Sequence, residues 1–106
     1  MKLGIILETK EPEKAWNAFR FANTALSRQH EVKVFLMGEA VECENIQQPK
    51  YNVSDELKKF NSQNGLLMAC GTCLKSRMLD NDTVCPISTM HDCVELVEWA
   101  DKMVTF

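Results

Sequence analysis

The sequence predicts an α/β domain in which a parallel sheet carries helices on both faces. Three largely apolar stretches, at Leu3–Leu7, Val32–Met37 and Leu66–Ala69, have the length and composition of buried strands, and only Lys33 interrupts the second with a charge. The segments that separate these runs place apolar residues at helical spacing. This alternation favours parallel pairing, because a chain needs a crossover, usually a helix, to return to the same end of a sheet.

Length, charge and cysteine content restrict the class of protein. The 106 residues suffice for one domain with a modest core, so we expect a single domain over residues 1–106. A net charge of −3 gives no electrostatic basis for binding nucleic acid or an anionic membrane, and we expect neither partner. No apolar run approaches the roughly 20 residues of a membrane span, and the N-terminal run is too short for a signal peptide. We therefore expect a cytoplasmic protein, in which cysteines indicate catalysis or metal binding more than a disulfide framework.

The first strand leads into a loop and a helix. The loop Glu8–Glu11 contains no glycine, which argues against a nucleotide phosphate site there, because such sites need close backbone approach. Pro12 suits the first turn of a helix, where its missing N–H is not needed. The core-facing stripe of this helix is Ala15, Ala18, Phe19, Ala22, Ala25 and Leu26. Trp16 and Phe21 lie off the stripe and indicate either a subunit contact or packing under a loop.

The connection after the second strand is long and polar. Its length, from Gly38 to Asn52, indicates a functional loop or a short helix. Cys43 lies in it between Glu42 and Glu44, and acidic neighbours raise the pKa of a thiol. We therefore predict that Cys43 is unreactive.

The next helix has clear start and stop signals. Ser54 is a good N-cap, and acidic residues follow it in the first turn, where the helix dipole favours them. Leu57 and Phe60 supply the apolar face. Asn64-Gly65 is typical of a helix end, and the third strand follows it.

The C-terminal part supplies the last two strands. Val84–Ile87 predicts a short strand, which Pro86 should bring to an end. Thr89 and Asp92 have the spacing of a capping box at the start of a helix. The expected core stripe of that helix is Cys93, Leu96, Val97 and Ala100. Met103–Phe106 closes the chain as a strand, so the predicted order is β-α-β-α-β-α-β-α-β.

The functional prediction centres on the sequence Cys70-Gly71-Thr72-Cys73 at the end of the third strand. Ligands of open α/β sheets bind at the carboxyl ends of strands. Gly71 would turn the chain into a helix whose free N–H groups, at Gly71 and Thr72, favour a thiolate at Cys70. Lys75 and Arg77 add positive charge, and such surroundings lower the pKa of a cysteine. A lone cysteine more often fills space in a core, but this combination favours chemistry.

Three chemistries are compatible with these thiols. In the first, Cys70 attacks a sulfane sulfur, carries it as a persulfide and passes it on, while N–H groups and cations stabilise the persulfide anion. In the second, Cys70 and Cys73 form a dithiol–disulfide couple, because residues three apart share a helix face. In the third, zinc binds to Cys70, Cys73, Cys85, His91 and Cys93. The spacing of the last three ligands is unlike that of common zinc modules, so we expect no metal and no other cofactor.

These residues and three longer stretches resemble the DsrE/DsrF-like family, and most closely its small stand-alone YchN-type members. The resemblance covers most of the chain. It is carried by Cys70–Cys73 with Arg77, by Ala15–Arg20 in the first helix, by Val34–Val41 at the second strand, and by the ending Leu96–Phe106.

The resemblance implies a fold, a chemistry and an assembly. The fold is a three-layer α/β/α domain with a five-stranded parallel sheet. Relatives such as TusD and DsrE carry a persulfide in sulfur relays, and Cys70 occupies the place of their cysteine, which implies a sulfurtransferase with protein donors and acceptors. TusD-like chains lack the second cysteine, so Cys73 adds redox chemistry. The family also implies a homo-oligomer: a dimer, a trimer or a hexamer. A non-enzymatic oligomeric binding module with incidental cysteines remains an alternative.

Overall fold

The computed structural model describes residues 1–106 and confirms a five-stranded, all-parallel sheet with helices packed around it. The elements follow one another as β1 (Lys2–Leu7), α1 (Pro12–Ser27), β2 (Glu31–Leu36), a 3-10 helix (Gly38–Asn45), α2 (Val53–Asn61), β3 (Leu66–Cys70), α3 (Gly71–Ser76), β4 (Ile87–Ser88), α4 (Met90–Trp99) and β5 (Lys102–Thr105). The strand order in the sheet is β4-β3-β2-β1-β5, and every neighbouring pair is parallel.

Two hydrophobic clusters lie on opposite faces of the sheet. The larger contains 21 buried residues and joins the sheet to α1, α2 and the 3-10 helix. The smaller lies under α4 and consists of Phe35, Met68, Cys70, Cys93 and Leu96. Because successive side chains of a strand point to opposite faces, Leu67 and Ala69 belong to the larger cluster while Met68 and Cys70 belong to the smaller one. The chain therefore forms the three layers α/β/α.

Helix α2 differs from its sequence prediction at both ends. Its N-cap is Asn52, whose side chain accepts a hydrogen bond from the Asp55 N–H at 3.1 Å. Ser54 lies inside the helix instead, fully buried, and its hydroxyl has no partner. The helix ends at Asn61, a few residues before Gly65. Gly65 is needed for packing, because a Cβ there would collide with the Phe60 ring.

The short strand β4 lies one to three residues later than the run Val84–Ile87 predicts. Pro86 has no N–H to donate, and its carbonyl accepts from the Ala69 N–H at 2.9 Å just before the strand begins. The capping box of Thr89 and Asp92 is confirmed at the start of α4. Other strand ends move by one residue, and the long connection contains the 3-10 helix.

The two aromatic residues off the α1 stripe have different surroundings. Trp16 packs edge-on against Tyr51 of the long connection, with 5.2 Å between ring centroids, and the Arg20 guanidinium lies 4.3 Å above its ring. This is the packing under a loop that the sequence left open. Phe21 contacts Phe106 with 6.0 Å between ring centroids and stays 44% exposed. None of the helices is long and apolar enough to cross a bilayer.

Candidate functional site

Cys70 lies where β3 ends and α3 begins. It is the last residue of the strand, the N-cap of α3, and the register partner of Ser88 in β4. Its residue surface is only 4% exposed, because its side chain points into the smaller cluster. Cys73 follows one helical turn later, is half-buried and packs against the same cluster. The structure thus brings the two thiols of the CxxC motif together at the carboxyl end of a central strand.

Gly38 supplies a contact that the sequence analysis missed. It lies two residues beyond the end of β2, the neighbour of β3, and its backbone N–H donates to Cys73 Sγ at 3.2 Å. Its φ of +58° is a left-handed conformation that glycine adopts without strain. A glycine at the carboxyl end of a strand is the only signal the sequence offers, and it becomes informative once β2 and β3 are known to be adjacent.

The thiol of Cys73 holds its proton more firmly than an ordinary thiol. Burial raises the pKa of Cys73 above its ordinary value of 9.0, and the neighbouring Cys70 raises it further. The Gly38 N–H and, more weakly, the Arg77 charge act in the opposite direction on that pKa without reversing it. Cys73 is therefore a neutral thiol near neutral pH, with a backbone donor in place to stabilise negative charge on its sulfur.

A largely apolar cleft of about 520 Å³ opens over the two cysteines. Its walls are Cys70, Gly71, Thr72, Cys73, Lys75, Ile87, Ser88, Thr89 and Met90. The structure therefore gathers all the sequence-predicted site residues except Arg77 around one space. Gly71 is the point of closest approach to β4, since a Cβ there would lie 3.0 Å from Ile87 Cγ2 and 3.3 Å from the Ser88 carbonyl oxygen.

Arg77 lies outside the cleft. Its Nε donates to Glu42 Oε2 at 3.0 Å, and its Nη1 donates to the Cys73 carbonyl at 3.1 Å. The hydrogen bond from Arg77 is the largest cause of the lowered pKa of Glu42, and Lys10 lies 3.4 Å from the same carboxylate. Arg77 therefore joins α3 to the 3-10 helix and leaves Lys75 as the cation at the cleft.

The remaining three cysteines, Cys43, Cys85 and Cys93, are buried and do not line the cleft. Burial is the main cause that raises the pKa of Cys43 to about 12, and the pKa of Cys85 to about 11. The acidic neighbours that the sequence analysis invoked for Cys43 contribute less than its burial. Cys93 lies in the smaller cluster beside Cys70, and burial raises its pKa as well. The five candidate zinc ligands do not converge: no three His, Cys, Asp or Glu side chains lie close enough together to hold a metal ion.

The sequence model of the DsrE/DsrF-like family matches residues 1–106, the whole length of this chain. The chain belongs to the DsrE/DsrF-like family. This family is linked to sulfur relay, and a cysteine pair at the end of a strand is consistent with that chemistry.

Two similar proteins come from Methanocaldococcus jannaschii and Methanopyrus kandleri. An uncharacterized protein of Methanocaldococcus jannaschii is 32% identical, with all of both chains covered. An uncharacterized protein of Methanopyrus kandleri is 35% identical over 89% of this chain and 83% of its own length. Both similarities extend over most of the domain rather than over the cysteine motif alone.

Proposed function

We propose that this chain accepts sulfane sulfur as a persulfide on Cys70 and passes it to another thiol. The observation that carries the proposal is the pairing of Cys70 and Cys73 at the floor of one open cleft, with Lys75 on its wall. Membership of a family linked to sulfur relay supports the same chemistry. The chain would then act as a sulfurtransferase without a cofactor.

The proposed transfer needs only thiols and a sulfur donor. The Cys70 thiolate attacks the outer sulfur of a donor persulfide, so a new S–S bond forms at Cys70 and the donor leaves as a thiolate. Gly71, Thr72 and Lys75 line the cleft with Cys70, and we expect the Lys75 ammonium and the first N–H groups of α3 to stabilise the resulting anion. An acceptor thiolate then takes the outer sulfur and regenerates the Cys70 thiolate.

Cys73 provides a route for discharge. Its thiolate attacks the inner sulfur of the persulfide, which forms a Cys70–Cys73 disulfide and releases hydrosulfide. The Gly38 N–H, 3.2 Å from Cys73 Sγ, would stabilise the thiolate that makes this attack. The raised pKa of Cys73 keeps this route slow near neutral pH, because the neutral thiol is a poor nucleophile.

The proposed partners are sulfur donor and acceptor proteins together with further copies of the chain. A persulfide transfer between proteins requires that a partner thiol enter the cleft, which is open to the surface beside the exposed Ile87 and Met90. Five free thiols and their chemistry are compatible with the cytoplasm, where thiols are kept reduced.

Dithiol–disulfide exchange is the second candidate, and the adjacency of the two thiols favours it. Exchange requires one accessible thiol that attacks the substrate first. Here Cys73 is the more exposed of the pair, while Cys70 is 4% exposed. If exchange is the function, Cys73 is therefore the attacking residue and Cys70 the resolving one.

Intact mass spectrometry distinguishes the two candidates. We expect the chain to gain one sulfur atom from a low-molecular-weight persulfide, and Cys70→Ser to lose this gain. Cys73→Ser should keep the added sulfur and hold it longer, because the discharge route is gone. Cys85→Ala, which changes a buried thiol outside the cleft, is the control and should load like the unaltered chain. Loss of loading in a folded Cys73→Ser variant would instead support exchange.

A further inference from the structure

Helix α3, which carries Cys73, depends on other parts of the chain for its position. It spans six residues, Gly71–Ser76, and Leu74 is the only one of them that is buried. An isolated helix shorter than about 12 residues is marginal in water, so contacts outside the helix must fix it in place. The direction in which the Cys73 sulfur points therefore depends on what holds α3 from outside.

The side chain of Arg77, the C-cap of α3, joins this helix to the 3-10 helix Gly38–Asn45. Its Nε donates to Glu42 Oε2 at 3.0 Å, while its Nη1 donates to the Cys73 carbonyl at 3.1 Å. The N–H groups of a guanidinium have fixed directions, so these two acceptors are held at a defined separation. The Arg77 and Glu42 side chains are 32% and 34% exposed, which shields them from solvent more than an ordinary surface ion pair. We call this arrangement the Arg77–Glu42 clamp.

The same two helices also meet at the sulfur of Cys73. Gly38 is the first residue of the 3-10 helix that contains Glu42, and its N–H donates to Cys73 Sγ at 3.2 Å. A 3-10 helix rises about 2.0 Å per residue, so Glu42 lies about 8 Å further along the helix than Gly38. The clamp and the sulfur contact are therefore two separate links between α3 and the 3-10 helix, and the first constrains the second.

We propose that Arg77 and Glu42 are positioning residues that hold Cys73 Sγ at the Gly38 N–H, and that the clamp thereby sets the rate at which Cys73 discharges a persulfide on Cys70. The inference rests on the proposed function. In the discharge step, the Cys73 thiolate forms a bond to the inner sulfur of the persulfide, and the outer sulfur leaves with the electron pair of the broken S–S bond as hydrosulfide. Neither Arg77 nor Glu42 lines the cleft, so both act through Cys73.

The Gly38 N–H is the strongest influence that favours a thiolate at Cys73. Burial raises the pKa of Cys73 above 9.0, whereas the Gly38 hydrogen bond and, more weakly, the Arg77 charge lower it. Cys70 at the end of β3 raises the same pKa, Lys75 lines the cleft from α3, and the cleft residues of β4 and α4 carry no charge. Displacing the sulfur from Gly38 should therefore raise this pKa more than loss of the Arg77 charge alone.

Glu42 separates positioning from simple charge. A carboxylate near a thiol disfavours the thiolate, so removal of Glu42 would by charge alone lower the pKa of Cys73. If the clamp positions Cys73, the same removal frees Arg77, lets the sulfur move away from the Gly38 N–H and raises that pKa. The two explanations therefore predict opposite signs for one substitution.

The pH dependence of Cys73 alkylation tests this sign. It is measured in a Cys70→Ser background, where Cys73 is the only thiol that lines the cleft, and the rate is obtained by peptide mass spectrometry. Glu42→Ala and Arg77→Gln should each raise the pH of half-maximal rate by about 0.5 or more, because the Gly38 hydrogen bond is lost. Arg77→Lys should raise it too, because an ammonium keeps the charge but does not reproduce the two directed hydrogen bonds.

Glu39→Ala is the matched control, because Glu39 is an exposed carboxylate of the same 3-10 helix outside the clamp. This variant should leave the half-maximal pH unchanged or slightly lower. A half-maximal pH that falls or stays the same in Glu42→Ala would overturn the proposal. An Arg77→Lys profile identical to that of the Cys70→Ser chain would also overturn it, since charge alone would then account for the role of Arg77.

The Gly38 amide gives a direct measurement of the contact. In NMR spectra of the Cys70→Ser chain, its proton resonance should shift as Cys73 titrates, because this N–H donates to the sulfur that gains the charge. The shift should be smaller when Arg77→Gln is added. Equal shifts in the two chains would contradict positioning by the clamp.

The lifetime of the persulfide tests the consequence for discharge. In chains loaded at Cys70, Arg77→Gln should release hydrosulfide about two- to threefold more slowly at about pH 8, because fewer Cys73 thiols are ionised although each thiolate is more nucleophilic. Equal or faster release would contradict the role of the clamp in discharge. A chain that never gains sulfur would refute the carrier proposal instead, and the alkylation profile would still decide whether the clamp positions Cys73.

Discussion

The five thiols of the chain occupy three environments. Cys43 and Cys85 belong to the larger cluster, Cys93 belongs to the smaller one, and Cys70 and Cys73 line the cleft. The high pKa values of Cys43 and Cys85, about 12 and about 11, follow mainly from burial. At the scale of single residues, position in the fold therefore distinguishes cysteines that have the same intrinsic chemistry.

These environments predict an order of alkylation. With iodoacetamide at about pH 8, we expect Cys70 and Cys73 to react before the other three, because only these two line an open cleft. Peptide mass spectrometry over a time course gives the rate at each position. Faster labelling of Cys70 than of Cys73 would support our sequence-based prediction that the surroundings of Cys70 lower the pKa of its thiol. A faster reaction at Cys43 or Cys85 would show that the site is misplaced.

The residues of the site differ in how far sequence alone could place them. Five site residues are close in the chain, so one strand-to-helix turn brings them together. They are Cys70, Gly71, Thr72, Cys73 and Lys75. Arg77 shares this local sequence, yet its partner Glu42 lies 35 residues away and draws it out of the cleft. Gly38 was missed for the same reason, because its contact with Cys73 depends on the adjacency of two strands. Local turns are readable from sequence, whereas contacts between distant segments are not.

At the scale of elements, the capping box of α4 stabilises the start of a helix whose N-cap, Thr89, also lines the cleft. The Thr89 hydroxyl accepts from the Asp92 N–H, and Asp92 accepts from the Thr89 N–H at 2.9 Å. Thr89→Ala should lower the free energy of unfolding by about 1 kcal/mol, the usual cost of losing an N-cap. Urea unfolding measures this change.

Thr24→Ala is the matched control for the cap. Thr24 is exposed within α1, and its hydroxyl bonds back to the Arg20 carbonyl of the same helix. Replacement by alanine, the best helix former, should not destabilise the chain. An equal loss in both variants would contradict a specific role for the Thr89 cap.

Element ends were predicted well where one capping signal stood alone and less well where two competed. Pro12 and the pair Thr89–Asp92 mark their helices correctly. Asn52 and Ser54 are both good N-caps, and the burial of Ser54 against the core decides in favour of Asn52. Tertiary packing of this kind is not visible in the local sequence.

At the scale of the whole molecule, the buried thiols predict a loss of stability in alkali. Above the ordinary thiol pKa of 9.0 the unfolded chain releases protons that folded Cys43 and Cys85 retain. Below that pH these thiols do not reduce the free energy of unfolding. As the pH rises from 9.0 towards their pKa values in the folded chain, the free energy of unfolding falls by about 1.4 kcal/mol per pH unit for each thiol.

Urea unfolding at about pH 8 and about pH 10 checks this dependence. Cys85→Ala should reduce the decline by the share of one thiol, whereas Thr24→Ala should leave the decline unchanged. An identical decline in Cys85→Ala and in the unaltered chain would show that Cys85 does not carry it.

The topology was partly predictable at this scale. Alternation of strands and helices predicted five parallel strands, and the structure confirms them. The order β4-β3-β2-β1-β5 depends on which crossovers return beside β1, and apolar periodicity contains no information about that choice. The sequence analysis placed Val97 in the core of α4 because its position fits the same helical stripe as the buried Leu96, but Val97 is exposed in the structure.

Strand β4 is held to β3 by two register pairs, and one of them joins Cys70 to Ser88. A two-residue edge strand opens at a lower free energy than the central strands, so we expect faster amide hydrogen exchange in β4 than in β1, β2 and β3. Ile87 and Ser88 of β4 line the cleft with Cys70, so release of β4 would widen the cleft while β1, β2 and β3 remain paired. The accessibility of Cys70, the proposed persulfide carrier, is then governed by a local opening equilibrium, which mild denaturant hardly changes, rather than by global unfolding.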